Sequence, residues 1–151
     1  MTTSAADPGA ERLAWAGLVP FVLGAALTWI LSKPTAGAEA DPHFFVTEAL
    51  SAYAALVIGV LAGVHWALGF RDATSDRSRR FLWGAGLAVA AWIGNLMPAY
   101  AGLVVHGVLL VLSYLVDRKT YPPHGIGGWL TLRFRLTAVA ALCCFVGAAG
   151  S

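Results

Sequence analysis

The longest stretch of the chain without Asp, Glu, Lys or Arg runs from Phe81 to Val116 and covers 36 residues. As one α-helix it would be about 54 Å long, whereas the hydrocarbon core of a bilayer is about 30 Å thick. The segment must therefore fold back on itself. Pro98 lies near its middle, and proline cannot donate the backbone hydrogen bond that continues a helix. We predict two membrane-spanning helices, residues 81–97 and 99–116, joined by a tight uncharged hairpin.

Three other apolar segments are long enough to cross the same membrane. They are residues 13–31, 49–70 and 129–149. Pro20 is expected to kink the first, and the carbonyl that a kink frees must then bond a neighbouring helix or water. Only 12% of the chain is charged, compared with about 25% in a typical soluble domain, so a water-soluble fold is excluded. The predicted fold is all-α, a compact bundle of five transmembrane helices over residues 12–151, after a disordered tail at residues 1–11.

Basic residues are distributed unevenly between the two ends of this predicted bundle. Of the ten Lys and Arg residues, one end holds Arg12, Arg71, Arg77, Arg79, Arg80, Arg118, Lys119, Arg133 and Arg135, and the other holds Lys33. The positive-inside rule then predicts a cytoplasmic N-terminus and an outer C-terminus, in what we expect to be a bacterial cytoplasmic (inner) membrane. Arg133 and Arg135 fall within the last span and are expected to snorkel to the lipid headgroups. The basic residues form no continuous stripe, so we expect membrane lipid and no nucleic acid as a partner. The arginines of the second and fourth loops could bind anionic lipid headgroups, although topology alone also accounts for them.

The second predicted span carries small residues at every fourth position. They are Ser51, Ala55, Gly59, Gly63 and Ala67. Lipid tails do not drive helices together, whereas close backbone contact over small side chains does. We therefore expect this stripe to face another helix. That helix could belong to the same chain, to a partner membrane protein or to a second copy in a homo-oligomer.

Two histidines, His65 and His106, are predicted to lie within spans, where an unpaired polar group is costly. Three roles are open: a hydrogen-bonded structural role with Asn95 or Tyr53, a pocket for a quinone-like ligand, or ligation of haem or a metal. The predicted span ends put the two rings about 6 Å apart in depth, which disfavours a shared iron. We predict no cofactor and no metal site. A cavity shared by His65, His106, Asn95 and Glu48 would favour a ligand.

Residue patterns that indicate catalysis are absent from the sequence, including paired acids within a span, HExxH, CxxC and a phosphate-binding glycine loop. An enzyme would need Asp72, Asp76, Asp117 and His124 to converge at the cytoplasmic end. We therefore predict a non-enzymatic accessory, assembly or interaction protein of an inner-membrane complex. The alternative is a membrane protein or transporter that binds a small molecule, a quinone or haem through His65 and His106.

Three segments carry motifs in a familiar order. They are Gly17-Leu18-Val19-Pro20-Phe21, Tyr53 through Gly63-Val64-His65-Trp66 to Gly69, and Trp129 with Leu132-Arg133 and Leu136-Thr137. In these motifs the chain resembles the transmembrane protein 69-like family, a group of unknown function, over residues 13–149. The resemblance implies a small multi-span membrane protein and brings no established activity. The residues to which it points are Pro20, Tyr53, His65, Trp66, Trp129 and Arg133.

Overall fold

The structure is a computed structural model that describes residues 8–31, 41–71 and 77–151. Over these ranges the chain is helical and contains no strand, which confirms the all-α prediction for this part. The helices are α1 (Pro8–Ala16), α2 (Val19–Ile30), α3 (Pro42–Arg71), α4 (Arg77–Leu96), α5 (Ala99–Thr120) and α6 (Leu130–Ala149). Two short 3₁₀ turns, Pro122–His124 and Gly127–Trp129, connect α5 to α6.

Four helical segments in the described ranges are long and apolar enough to cross a membrane. They are Pro8–Ile30, Pro42–Arg71, Ala99–Thr120 and Gly127–Ala149. The fifth long helix, α4, has 20 residues but carries Arg77, Arg79 and Arg80 in its first turn, which lowers its apolar character. Four helices of this length and hydropathy suggest an integral membrane protein, and a fifth crossing by α4 stays a prediction.

The first crossing is interrupted by a turn at Gly17–Leu18, between α1 and α2, just before Pro20. The expected break near Pro20 is therefore present, because the proline ring clashes with the carbonyl four residues earlier. At this turn the Gly17 carbonyl accepts a hydrogen bond from the Tyr53 hydroxyl on α3 at 2.9 Å. The Tyr53 ring also packs edge-on against Phe21, with centroids 5.2 Å apart. Helix α3 thus supplies a donor to one carbonyl at this break, that of Gly17, as a backbone within lipid requires.

The predicted hairpin between α4 and α5 is also present. Pro98 is the N-cap of α5, and its backbone angles of φ −49° and ψ 139° are extended rather than helical. A Cβ added at Gly102 would collide with the carbonyl of Gly94, so the two helices approach each other closely where both residues are glycine. The chain therefore reverses over two non-helical residues, Met97 and Pro98, without a charged loop.

Helix α3 lies at the centre of the bundle, in contact with α2, α4, α5 and α6. The largest apolar side chains that are almost wholly enclosed are Phe21, Leu50, Ile58, Leu103 and Leu110. On the outer surface, large apolar side chains such as Leu56 (64% exposed) and Phe70 (65% exposed) remain uncovered. An outer surface of this kind is expected where the surrounding medium is lipid.

Several boundaries differ from the predicted ones. Residues 8–11, assigned to the disordered tail, belong to α1, and α3 begins at Pro42 instead of residue 49. Helix α5 continues past Val116 to Thr120, so Asp117 lies on a helix and not in a loop. The predictions ended each span at the first polar or charged residue, although such residues continue intrahelical hydrogen bonding. Residues 1–7 of the predicted tail, Asp72 and Asp76 lie outside the described ranges.

The substitution Tyr53→Phe tests the hydrogen bond across the break between α1 and α2. It removes the hydroxyl donor to Gly17 but keeps the ring that packs on Phe21. We expect the free energy of unfolding in detergent to fall by about 1–3 kcal/mol, since an interior carbonyl loses its partner. The control is Tyr100→Phe, because the Tyr100 side chain is 57% exposed. Equal losses in the two variants would contradict this role for Tyr53.

Candidate functional site

The site centres on Asp117, near the end of α5, whose side chain is 1% exposed. Its Oδ2 accepts a hydrogen bond from Nε of Arg133 on α6 at 3.0 Å. Its Oδ1 lies 3.0 Å from Nε2 of His65 on α3, at ion-pair distance but without the alignment of a hydrogen bond. Because Nε2 faces a carboxylate oxygen, we infer that it carries the ring proton. Three helices therefore meet at one enclosed carboxylate.

The guanidinium of Arg133 is held by two further side chains. One terminal nitrogen donates to Thr137 Oγ1, one turn along α6, and the other donates to Ser113 Oγ on α5 at 3.2 Å. Arg133 is only 11% exposed, so the expectation that it snorkels to the headgroups is wrong. The planar guanidinium donates to one carboxylate and two hydroxyls inside the bundle, and these hydrogen bonds replace those it would make with water. Arg135, by contrast, is exposed.

Tyr121 closes this cluster at the end of α5 and is 6% exposed. Burial, together with the nearby charge of Asp117, raises the pKa of Tyr121 to about 12. The phenol therefore stays protonated at physiological pH. Since its pKa is above the usual value of about 10, its contribution to stability is complete below pH 10 and is lost between about pH 10 and 12.

His106 belongs to a separate hydrogen-bonded group and is 0% exposed. Its Nε2 lies 2.9 Å from the carbonyl of Ala91, so this nitrogen donates, and its Nδ1 lies 3.2 Å from Ser51 Oγ and accepts. Both ring nitrogens of a neutral imidazole are thereby satisfied, as a structural role requires. Neither expected partner is used: Tyr53 bonds Gly17 instead, and Asn95 has no bond to this ring among the described contacts.

The two histidines do not share a site. Ser51, which contacts His106, precedes His65 on α3 by 14 residues, or about 21 Å of helix. The predicted difference in depth was too small, and the four residues by which α5 extends past its predicted end account for about 6 Å of the discrepancy. Glu48, Ser51 and Asn95 line a cavity of about 240 Å³ that does not include His65. Within the described ranges, no group of three His, Cys, Asp or Glu residues could hold a metal ion.

His65 also faces a cavity of about 320 Å³ between the beginning of α4 and the end of α5. Its lining residues are His65, Arg79, Arg80, Trp83, Val116, Lys119, Thr120 and Pro123. The indole Nε1 of Trp83 is enclosed and has no hydrogen-bond partner within the described part of the chain. The sequence alone accounts for the arginines at this end by topology, with anionic lipid headgroups as the alternative, and it does not predict a cavity between them. Their spacing was the available signal, since residues 79, 80 and 83 share one face of α4 and residues 116, 119 and 120 share one face of α5.

The small-residue stripe on α3 faces the bundle only at its beginning. Ser51 is buried, Ala55 is half-buried, and Gly59, Gly63 and Ala67 are exposed. A Cβ added at Gly59 or Gly63 would meet no atom within 4 Å. Four residues turn a helix about 40° past a full circle, so the stripe rotates by about 160° over its length. It therefore starts against α5 and ends on the outer surface.

The other motif residues make contacts between helices. Trp66 packs edge-on against Phe81, with centroids 5.5 Å apart, and a side chain at Gly84 would collide with its indole ring. Trp129 lines an apolar cavity of about 220 Å³ together with Tyr121 and Arg133. Several of the motif residues are thus coupled in space, because Tyr53 bonds the break beside Pro20, and His65 and Arg133 meet at Asp117.

The described part of the chain is an all-helical fold with four helices suited to crossing a membrane, and it encloses a carboxylate–guanidinium pair. The chain belongs to a family described as "Protein of unknown function (DUF3429)", whose model matches residues 7–149. The match covers the whole cluster around Asp117. No curated protein and no solved structure matches the chain. The family match carries no link by name to the transmembrane protein 69-like family, so that resemblance stays a prediction.

The pairing of Asp117 with Arg133 is tested by removing each charge singly and then both together. Arg133→Met leaves an enclosed carboxylate without its main counter-ion, and we expect a loss of about 3–5 kcal/mol in the free energy of unfolding. Adding Asp117→Asn to Arg133→Met should restore part of that loss. The matched control is Arg135→Met, whose side chain is exposed on the same helix. Equal effects of Arg133→Met and Arg135→Met would contradict the pairing.

Proposed function

We propose that this protein is a non-enzymatic, multi-pass protein of the bacterial cytoplasmic (inner) membrane that serves as an accessory or assembly subunit of a membrane complex. Four helical segments suited to spanning a membrane support the membrane assignment. Helix α4, packed against α3 and α5, is proposed as the fifth span. Its arginines would then lie at the membrane surface while the rest of the helix crosses the lipid.

The proposed orientation places the N-terminus in the cytoplasm and the C-terminus outside. Arg79 and Arg80 at the start of α4 and Lys119 near the end of α5 line one cavity, so these basic helix ends lie together. A cluster of basic residues at one end of a membrane bundle is typical of the cytoplasmic side.

Cysteine labelling of sealed vesicles tests this orientation. In a background with Cys143 and Cys144 replaced by alanine, single cysteines are introduced as Ser78→Cys, Arg118→Cys and Ser151→Cys. A membrane-impermeant maleimide should label the first two from the cytoplasmic side and the third from the outside. Labelling of Ser78→Cys and Arg118→Cys from opposite sides would overturn the five-span arrangement.

One observation carries the proposed interaction: the glycines of α3 face outward with nothing packed on them. Gly59 and Gly63 lie four positions apart in an apolar helix, and the space over both is open. Two glycines at this spacing let another helix approach the backbone closely, which is a main source of helix association in lipid. We propose that a transmembrane helix of a partner protein packs here.

Substitution of these glycines tests the proposed contact. Gly59→Leu and Gly63→Leu should abolish co-purification of the partner in mild detergent without changing stability, because both positions are open. The matched control is Gly86→Leu on α4, another glycine with open space around it, and it should leave the complex intact. A wild-type protein that is only monomeric or only self-associated would contradict the proposal, as would equal loss in the Gly86→Leu control.

A second candidate function is supported by the cavity beside His65. A small-molecule-binding protein or transporter that uses both His65 and His106, for a quinone or haem, is disfavoured because the two rings lie in separate groups. Binding at His65 alone stays compatible with the structure, since His65 lines an open cavity of about 320 Å³.

A further inference from the structure

The cavity beside His65 has a strongly basic lining. Arg79 and Arg80 come from the first turn of α4, and Lys119 comes from the last turn of α5. No acidic side chain is among its lining residues within the described part of the chain. Among the described acids, Asp117 lies 3.0 Å from His65 Nε2 and is engaged by Arg133. The cavity is therefore suited to an anion.

Two further features point to an anion with hydrogen-bond acceptors. The indole Nε1 of Trp83 is enclosed without a partner, and an indole nitrogen can only donate. An enclosed donor of this kind is rare unless water or a ligand satisfies it. The cavity also adjoins the beginning of α4, where the first backbone N–H groups of a 20-residue helix favour negative charge.

We propose that this cavity binds the phosphate group of an anionic ligand. Phosphate offers several oxygens to the Arg79 guanidinium, the Lys119 ammonium and the Trp83 indole. A volume of about 320 Å³ exceeds the needs of a single small ion and lies at the lower end of small-molecule pockets. Val116 and Pro123 supply apolar wall for a glycerol group or the start of an acyl chain. The phosphate belongs either to a phospholipid headgroup or to a soluble phosphate ester.

Native mass spectrometry of the detergent-purified full chain tests this site. The protein is titrated with phosphatidylglycerol, with phosphatidylcholine of the same acyl chains, and with sn-glycerol 3-phosphate. We expect tighter binding of phosphatidylglycerol than of phosphatidylcholine. Displacement of the bound lipid by glycerol 3-phosphate would indicate that a soluble ester suffices. Retention of the lipid would indicate that the membrane is the source. Either result supports a phosphate site.

Matched variants distinguish a built site from general charge attraction. The double variant Arg79→Gln with Lys119→Gln should weaken phosphatidylglycerol binding at least about tenfold. The control is Arg118→Gln with Arg135→Gln, which removes the same charge outside the cavity and should change binding less than about twofold. Trp83→Phe keeps an aromatic ring but removes the donor and should weaken binding about tenfold.

Three results would overturn the proposal. The first is a wild-type protein that does not bind glycerol 3-phosphate and does not prefer phosphatidylglycerol to phosphatidylcholine. The second is an equal loss of phosphatidylglycerol binding in the two double variants, and the third is unchanged binding in a folded Trp83→Phe protein. Circular dichroism of each variant confirms that its helix content matches that of the wild type. Phosphate binding at this cavity does not involve Gly59 or Gly63, so these experiments do not test the partner-binding proposal.

Discussion

The arrangement of α3, α5 and α6 depends on the carboxylate of Asp117. A charged group in the interior of a membrane bundle is costly unless other groups of the protein compensate it. Arg133 supplies the opposite charge, and Ser113 and Thr137 each accept a hydrogen bond from one of its terminal nitrogens. Because these groups come from different helices, a shift of one helix by a single turn would leave a charge without its partner. The pair therefore specifies how the helices are aligned along their axes.

A second polar contact aligns the other part of the bundle. His106 connects α5 to the Ala91 carbonyl of α4 and to Ser51 of α3, while apolar side chains such as Ile58 and Leu110 fill the interior. Glycines set how closely the helices approach, as at Gly102 and Gly94. Polar contacts thus determine register, and small residues determine distance. Hydrophobic attraction between helices contributes little to register or to distance in lipid.

The two polar groups, one around His106 and one around Asp117, differ in whether they lie beside a surface that could bind a ligand. His106 is saturated by its neighbours and has no free ring nitrogen, whereas His65 lies between an enclosed carboxylate and a basic cavity. The outward glycines of α3 lie on another part of the surface and would receive a helix instead of a small molecule. Binding of a partner and binding of an anion would therefore use different chemistry and can be disrupted independently.

Sequence alone was sufficient for the helical class, the break near Pro20 and the hairpin at Pro98, because these depend on hydropathy and on the missing N–H of proline. It also placed His65 and His106 inside the bundle. Only the tertiary structure showed that Asp117 is enclosed, that Arg133 turns inward to meet it, and that the small-residue stripe rotates to the outer surface. The physical reason is that hydropathy reports whether a segment prefers lipid to water. Which charges compensate one another depends on contacts between residues that are distant in the chain, as His65, Asp117 and Arg133 are.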